Sequence, residues 1–164
     1  MTQAAAVTQD ASVHDEGIQY LTFSALDKPM AIAILDVKEI IEVADMTRVP
    51  MTSDNVRGVI NLRGNVVPVV DLSARLGGGP STLTARSCIV LVDIIVDGQT
   101  LAMGMLVDAV NEILEISHDA IQKTPEFGTD IAPEFIDRMG RVGSDFIILL
   151  NLDRVLDVAD LSVA

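Results

Sequence analysis

Val56-Arg57-Gly58-Val59-Ile60-Asn61-Leu62-Arg63-Gly64-Asn65-Val66-Val67-Pro68-Val69-Val70-Asp71-Leu72-Ser73-Ala74-Arg75-Leu76 is the stretch on which the reading of this chain turns. It holds two apolar, β-branched runs on either side of Arg63-Gly64-Asn65, and such residues pack well on a pleated surface. Gly64-Asn65 suits a tight turn, since Gly tolerates positive φ and Asn nearly does. Val56 to Leu72 therefore predicts a β-hairpin. Pro68 has no N–H to give to a ladder, which puts its strand at an edge or at a bulge. Asp71 to Leu76 predicts a short helix, capped by Asp71 or Ser73 and ended by Gly77. Arg63 is out of keeping with the rest, a cation at the turn of a nearly uncharged hairpin.

Further strand-like segments lie on both sides. Gln19 to Leu26 and Pro29 to Leu35 predict strands about a turn at Asp27-Lys28-Pro29. Val37 to Val43 predicts a strand after a helical turn at Asp36 to Glu39. Gly77-Gly78-Gly79-Pro80-Ser81-Thr82 reads as a linker. Beyond it come Arg86 to Val96 and Gln99 to Val107 about Asp97-Gly98, and then Glu112 to Ile116. Ser117 to Phe127 is expected as a loop with a helical piece near Asp119. Phe135 to Val142 and Phe146 to Leu150 form a hairpin about Gly143-Ser144-Asp145, and Asn151 to Leu156 a short helix.

This order repeats. Val37-Lys38-Glu39-Ile40-Ile41-Glu42-Val43 matches Val110-Asn111-Glu112-Ile113-Leu114-Glu115-Ile116 at an offset of 73. Val70-Asp71-Leu72-Ser73-Ala74-Arg75-Leu76 matches Leu150-Asn151-Leu152-Asp153-Arg154-Val155-Leu156 at an offset of 80. The expectation is a mainly β protein of two similar five-stranded halves. The first is a barrel at about 18–76, the second a barrel at about 86–158, with a linker at 77–85 and a flexible tail at 1–17. Closure into barrels removes exposed edges. Halves this small are marginal alone and should share a packed interface.

The composition narrows the function. Of 164 residues, 49% are apolar but only 3% aromatic, so the core must be aliphatic. Asp plus Glu number 24 against 11 Lys plus Arg, a net charge of −13. Such a surface repels phosphate backbones and offers few rings for bases to stack on, which argues against nucleic acid and anionic lipid as partners. The single Cys88 excludes an intramolecular disulfide and is expected as a buried core residue. Met1 to Gly17 lacks the basic start and apolar centre of a secretion signal, and no run approaches the ~20 apolar residues of a membrane span. A soluble, cytosolic protein is expected, without membrane insertion.

No catalytic constellation emerges. His14 lies in the tail, and His118 stands beside Asp119 with no nucleophile in a recognisable context. Metal-ligand spacing of Cys and His is absent. Asp93, Asp97 and Asp108 read as solvated acids at turns. Gly77-Gly78-Gly79 lacks the lysine and helix of a phosphate loop. A small-molecule-binding or enzymatic barrel would need polar groups that converge, and none do in sequence. Glu39 and Arg63 each interrupt an apolar stretch. They are either two independent surface charges or a pair at the mouth of a groove, where losing one leaves the other unpaired.

Gly58-Val59-Ile60-Asn61-Leu62-Arg63-Gly64, followed by Val67-Pro68-Val69-Val70-Asp71-Leu72, resembles the signature of the CheW-like domain of bacterial chemotaxis coupling proteins. Pro125-Glu126-Phe127 and Ile148-Leu149-Leu150-Asn151-Leu152 are similar to later positions of that family. The likeness runs from Ile18 to Ala159. It implies two five-stranded SH3-like barrels and a non-catalytic adaptor without cofactor or metal. Its implied partners are the regulatory domain of the histidine kinase CheA and the helical cytoplasmic tips of methyl-accepting chemoreceptors, in an array beneath the membrane. A CheW-like module of a larger signalling protein, or of a two-component pathway outside chemotaxis, is the alternative. Position by position, Glu39 and Arg63 match the charge pair of the receptor groove, and Val37, Gly58, Asn61 and Gly64 its neighbours. Val110 and Ile113 match the second barrel's share. The resemblance puts the kinase-docking edge on the second barrel without naming residues. The strand before Asp97-Gly98 is longer than the family's.

Overall fold

The computed structural model describes residues 17–43, 45–50, 52–123 and 131–161. The expected tail, apart from Gly17, and Pro125-Glu126-Phe127 lie outside the described residues. The chain runs through β1 (Ile18–Ala25), β2 (Lys28–Ala33), a 3-10 turn (Ile34–Asp36), β3 (Val37–Glu42), β4 (Val56–Leu62), β5 (Asn65–Asp71) and α1 (Leu72–Arg75). It continues through β6 (Cys88–Val96), β7 (Gln99–Val107), β8 (Ala109–Ile116), a 3-10 turn (His118–Ala120) and β9 (Ile121–Gln122). After a 3-10 turn at Pro133–Phe135 come β10 (Ile136–Val142), β11 (Asp145–Leu150), α2 (Leu152–Val155) and α3 (Val158–Leu161).

Two sheets result. One has six strands in the order β9-β10-β11-β2-β1-β8, the other five in the order β3-β6-β7-β5-β4. The mainly β, two-unit architecture is therefore as the sequence predicts. Among the described residues the end strands of each sheet are not laddered to one another, so the units are sheets rather than fully hydrogen-bonded barrels.

The expected division at 77–85 does not match the sheet membership. β1 and β2, assigned to a first barrel at about 18–76, pair instead with strands from the far end of the chain. β1 lies antiparallel to β8, and β2 parallel to β11 through Met30–Ile148 and Ala31–Leu149. Conversely β6 and β7 pair with strands of the first half: β3 with β6, and β5 parallel to β7 through Val69–Gly104. The repeat is real, since β3 and β8 hold equivalent places at one end of each sheet, but the halves exchange their leading hairpins. The glycine-rich linker thus lies inside the five-stranded unit. The chain passes between sheets at the 3-10 turn 34–36 and at Asp108.

The alternation of side chains explains why the exchange is stable. On β6, Val90, Val92 and Ile94 face a core shared by both sheets, while Ile89 and Leu91 fill the five-stranded unit. On β11, Ile148 and Leu150 face the shared core, and Ile147 and Leu149 fill the six-stranded unit. Strands buried on both faces read as unbroken apolar runs, as residues 88–92 and 146–150 do. Phe23, Met30, Val70 and Met105, all at 0% exposure, lie in the shared core. Cys88, expected inside, is only half-buried at the start of β6.

Local chemistry fixes the short helices. Asp71, rather than Ser73, caps α1: its side chain accepts from the Ala74 N–H at 3.3 Å. The same buried carboxylate accepts from Ser81 N–H at 2.8 Å, Ser81 Oγ at 2.6 Å and Arg57 Nη1 at 3.0 Å, pinning the linker to the sheet. A buried carboxylate is tolerated when its lone pairs are filled this way. Arg75, at the end of α1, reaches the repeat-related α2. It donates to the Val155 carbonyl at 2.8 Å and the Arg154 carbonyl at 2.7 Å, pairs with Asp160 at 3.0 Å and stacks 4.8 Å over Phe135. It satisfies carbonyls that a helix end leaves open.

Because the core is common to both sheets, Phe23→Ala should cost about 3–5 kcal/mol, and denaturant unfolding should stay a single transition by probes in either sheet. Two separated transitions would mean that each sheet holds a core of its own.

Candidate functional site

The two ends of the five-stranded sheet come together at one seam, and the residues singled out by sequence cluster there. The chain after β3 bridges to β4: Thr47 and Val59 exchange N–H···O bonds of 2.9 and 2.8 Å. Gly58 makes this approach possible, because a Cβ there would stand 2.8 Å from the Thr47 carbonyl oxygen. The β4–β5 turn is made by Arg63-Gly64, with φ of 52° and 88°, one residue earlier than the Gly64-Asn65 expected. The pairing of Leu62 with Asn65 fixes the two-residue turn there, and Gly64 takes the second of its positive φ values at no steric cost. Asn61 supports it by accepting the Gly64 N–H at 2.9 Å through Oδ1.

The β1–β2 turn also differs from expectation. It falls at Leu26-Asp27, and Pro29 joins β2. Pro68 lies in an interior strand rather than an edge. Its missing donor is harmless because the parallel ladder with β7 runs only from Val69 to Asp71.

Arg63 closes the seam. Its guanidinium donates to both carboxylate oxygens of Glu39, at 2.6 and 3.4 Å, so the two charges form a pair and are not independent. A bulge between Val37 and Glu39 sets the aim of Glu39 on β3, while the bulged-out Lys38 pairs with Asp93 at 3.6 Å. The hydrogen bond from Arg63 holds the Glu39 carboxyl below its ordinary pKa, the charges of Arg63 and Lys38 adding to it. Of the other groove candidates, Val37 and Val110 both pack against the shared core from their separate sheets. Ile113 is 53% exposed on β8, and its repeat equivalent Ile40 is 41% exposed on β3.

Sequence reasoning missed the cavity beside this pair. A groove of about 750 Å³ opens next to Arg63, walled by Val59, Val66, Pro68, Leu101, Met103 and Leu161 of α3. Val66 is 70% exposed and Leu101 39%, an apolar surface left to solvent. Within Val66-Val67-Pro68-Val69-Val70 nothing in the sequence marks which valine faces out. Lys38 and Arg63 are the charged residues of the lining. Among the described residues no group of three or more His, Cys, Asp or Glu is placed to hold a metal. His118 is exposed in its 3-10 turn, and no described helix is long and apolar enough to cross a membrane.

A family model described as the CheW-like domain matches residues 19–160. The chain belongs to the CheW-like family. The chemotaxis protein CheW of Rhizobium meliloti is 35% identical over 139 residues, covering 85% of this chain and 87% of that protein. The probable chemotaxis protein CheW of Rhizobium etli is 32% identical over 146 residues, covering 89% and 92%. Among solved structures, the scaffolding protein TtCheW of Thermoanaerobacter tengcongensis superposes with a TM-score of 0.77 at 29% identity, covering 89% of this chain and 97% of that one. The sequence resemblance stated above thus holds over nearly the whole CheW-like domain.

Two measurements check the seam. Gly58→Ala should destabilise by about 1–3 kcal/mol, because Thr47 must retreat, as read by chemical denaturation; an unchanged midpoint would show that the seam has slack. Glu39 should titrate below the usual glutamate range in an NMR pH series and return to it in Arg63→Ala. The sign follows from linkage: with a depressed folded pKa, the pair's contribution is full above the unfolded pKa and fades as pH falls through the folded one.

Proposed function

We propose that the chain is a chemotaxis scaffold that works by binding and performs no chemistry. In this reading it joins the regulatory domain of a histidine kinase of the CheA type to the cytoplasmic tips of methyl-accepting receptors, at the inner face of the membrane. Membership of the CheW-like family, whose relatives carry chemotaxis and scaffolding names, is the observation that carries it.

The geometry supports a binding role. The seam presents exposed aliphatic surface beside two ion pairs, Arg63–Glu39 and Lys38–Asp93. A helical segment with aliphatic anchors and polar flanks fits such a groove, the anchors supplying affinity and the charges supplying register. Val37, Glu39, Gly58, Asn61, Arg63, Gly64, Val110 and Ile113 are assigned to the receptor side. The backbone roles of Gly58, Asn61 and Gly64 make them supports of the surface, and Arg63 and Glu39 its contact charges. The kinase side is assigned to an edge within residues 86–158, the second barrel of the sequence reading. Control of the kinase then passes through contact geometry, by favouring one of two arrangements of the assembly.

The full chain should be retained by a matched receptor tip and by the kinase regulatory domain in pull-down. Retention by neither sinks the proposal. Arg63→Asp should weaken receptor retention roughly tenfold with a cooperative melt intact, whereas loss of the cooperative melt would make Arg63 a structural residue only.

A further inference from the structure

The hairpin turns provide an internal comparison. Arg63-Gly64 and Asp97-Gly98 have positive φ at both positions, with glycine in the second. The turn equivalent to Asp97-Gly98 in the other sheet, Leu26-Asp27, takes φ of 56° and 57° with no glycine. That conformation is unfavourable for a bulky residue and persists only where the surroundings enforce it. Here the Leu26 side chain lies against Gly78, whose missing Cβ leaves it room. The Leu26 N–H donates to the carboxylate of Asp108, and the Asp108 N–H donates to the Ser24 carbonyl at 2.9 Å. The strained turn is thus stitched to the residue at which the chain crosses between sheets.

A cleft of about 930 Å³ lies over this junction, bounded on its far side by the linker residues Ser81, Thr82 and Thr84. Its floor holds acceptors left without cations. No ion pair reaches Asp27 or Asp108 among the described residues. Burial, and then the neighbouring Asp27 and Asp71, push the Asp108 pKa up, and no cation acts against them. Lys28 and Arg86 also line the cleft, and neither forms an ion pair with Asp27 or Asp108 among the described residues. Ser73 also lines it, at 8% exposure, and its hydroxyl has no hydrogen-bond partner among the described residues. Gly78 leaves that oxygen open, since a Cβ there would stand 3.2 Å from it. A buried hydroxyl without a partner and a desolvated carboxylate without a counter-charge are each costly.

We propose that this cleft binds an organic cation, a single primary ammonium or guanidinium group, with its N–H donors taken by the carboxylates of Asp27 and Asp108 and the hydroxyl of Ser73. The volume exceeds what a bare ion fills, and the described residues offer no metal-binding cluster. Lys28 and Arg86 at the walls repel a run of positive charges, so the ligand carries one cationic head. It is either a free amine or one lysine or arginine side chain of a partner. This site is separate from the seam at Arg63 and does not depend on the scaffold reading.

The test is an NMR titration of the full chain with methylguanidinium, with n-butylammonium, and with a short neutral peptide carrying one arginine, each against sodium chloride at matched ionic strength. Saturable shifts should appear at the amides of Leu26, Ser73, Ser81 and Asp108. Asp108→Asn should weaken binding roughly tenfold, and Ser73→Ala a few-fold. Asp27→Asn, at an exposed turn position, replaces Asp108→Asn if the latter does not melt cooperatively. Binding of the small cations identifies a free amine as ligand, and binding of the peptide alone identifies a partner's side chain; both support the site. Shifts that follow sodium chloride equally, or that persist unchanged in the variants, overturn it.

Discussion

Everything in this molecule depends on one layer of aliphatic packing, the core that neither sheet can complete alone. β1, β2, β5, β6, β7 and β11 each send one set of side chains into it. The opposite sets fill the separate units. With few aromatic rings to spend, the chain reaches adequate burial by using both faces of its central strands. That is why a shared interface is compulsory, and why Arg75 and Asp71 recur at its margins as polar fasteners between helices, linker and sheet.

The elements were largely legible because the sequence carries period and punctuation. β7 falls where Gln99 to Val107 predicts it, and the helix after Asp71 and its copy after Asn151 follow from their capping residues. Turn positions were less so. Arg63 and Leu26 occupy left-handed conformations that their residue types disfavour, so tertiary context decides them. The division of the chain was not legible. An internal repeat says which segments resemble one another. It does not say which copy a hairpin joins, since both copies offer the same edge, and the linker's glycines mark a loop without marking what it connects.

The site was legible in part, for a similar reason. Glu39 and Arg63 stood out as charges in apolar runs, and the structure pairs them across the seam. Gly58 and Gly64 stood out as glycines in a hairpin, and each meets a definite backbone need. Val66 and Leu101 were invisible, because an exposed valine in a valine-rich strand is distinguished only by which face its neighbours cover.

The pairing of β2 with β11 also bears on how the protein comes to exist during synthesis. Residues 37–107 hold every strand of the five-stranded sheet, but one face of that sheet has no cover until the rest of the chain arrives. The other sheet must wait for its last strands, Ile136–Val142 and Asp145–Leu150, to join a hairpin made at the very start. Closing that long a loop is entropically slow. Until it closes, the aliphatic flank of the early sheet stays bare to water and to other chains. The two sheets are thus tied to one another in the order of synthesis as well as in packing, the last strands supplying the cover that the middle ones lack.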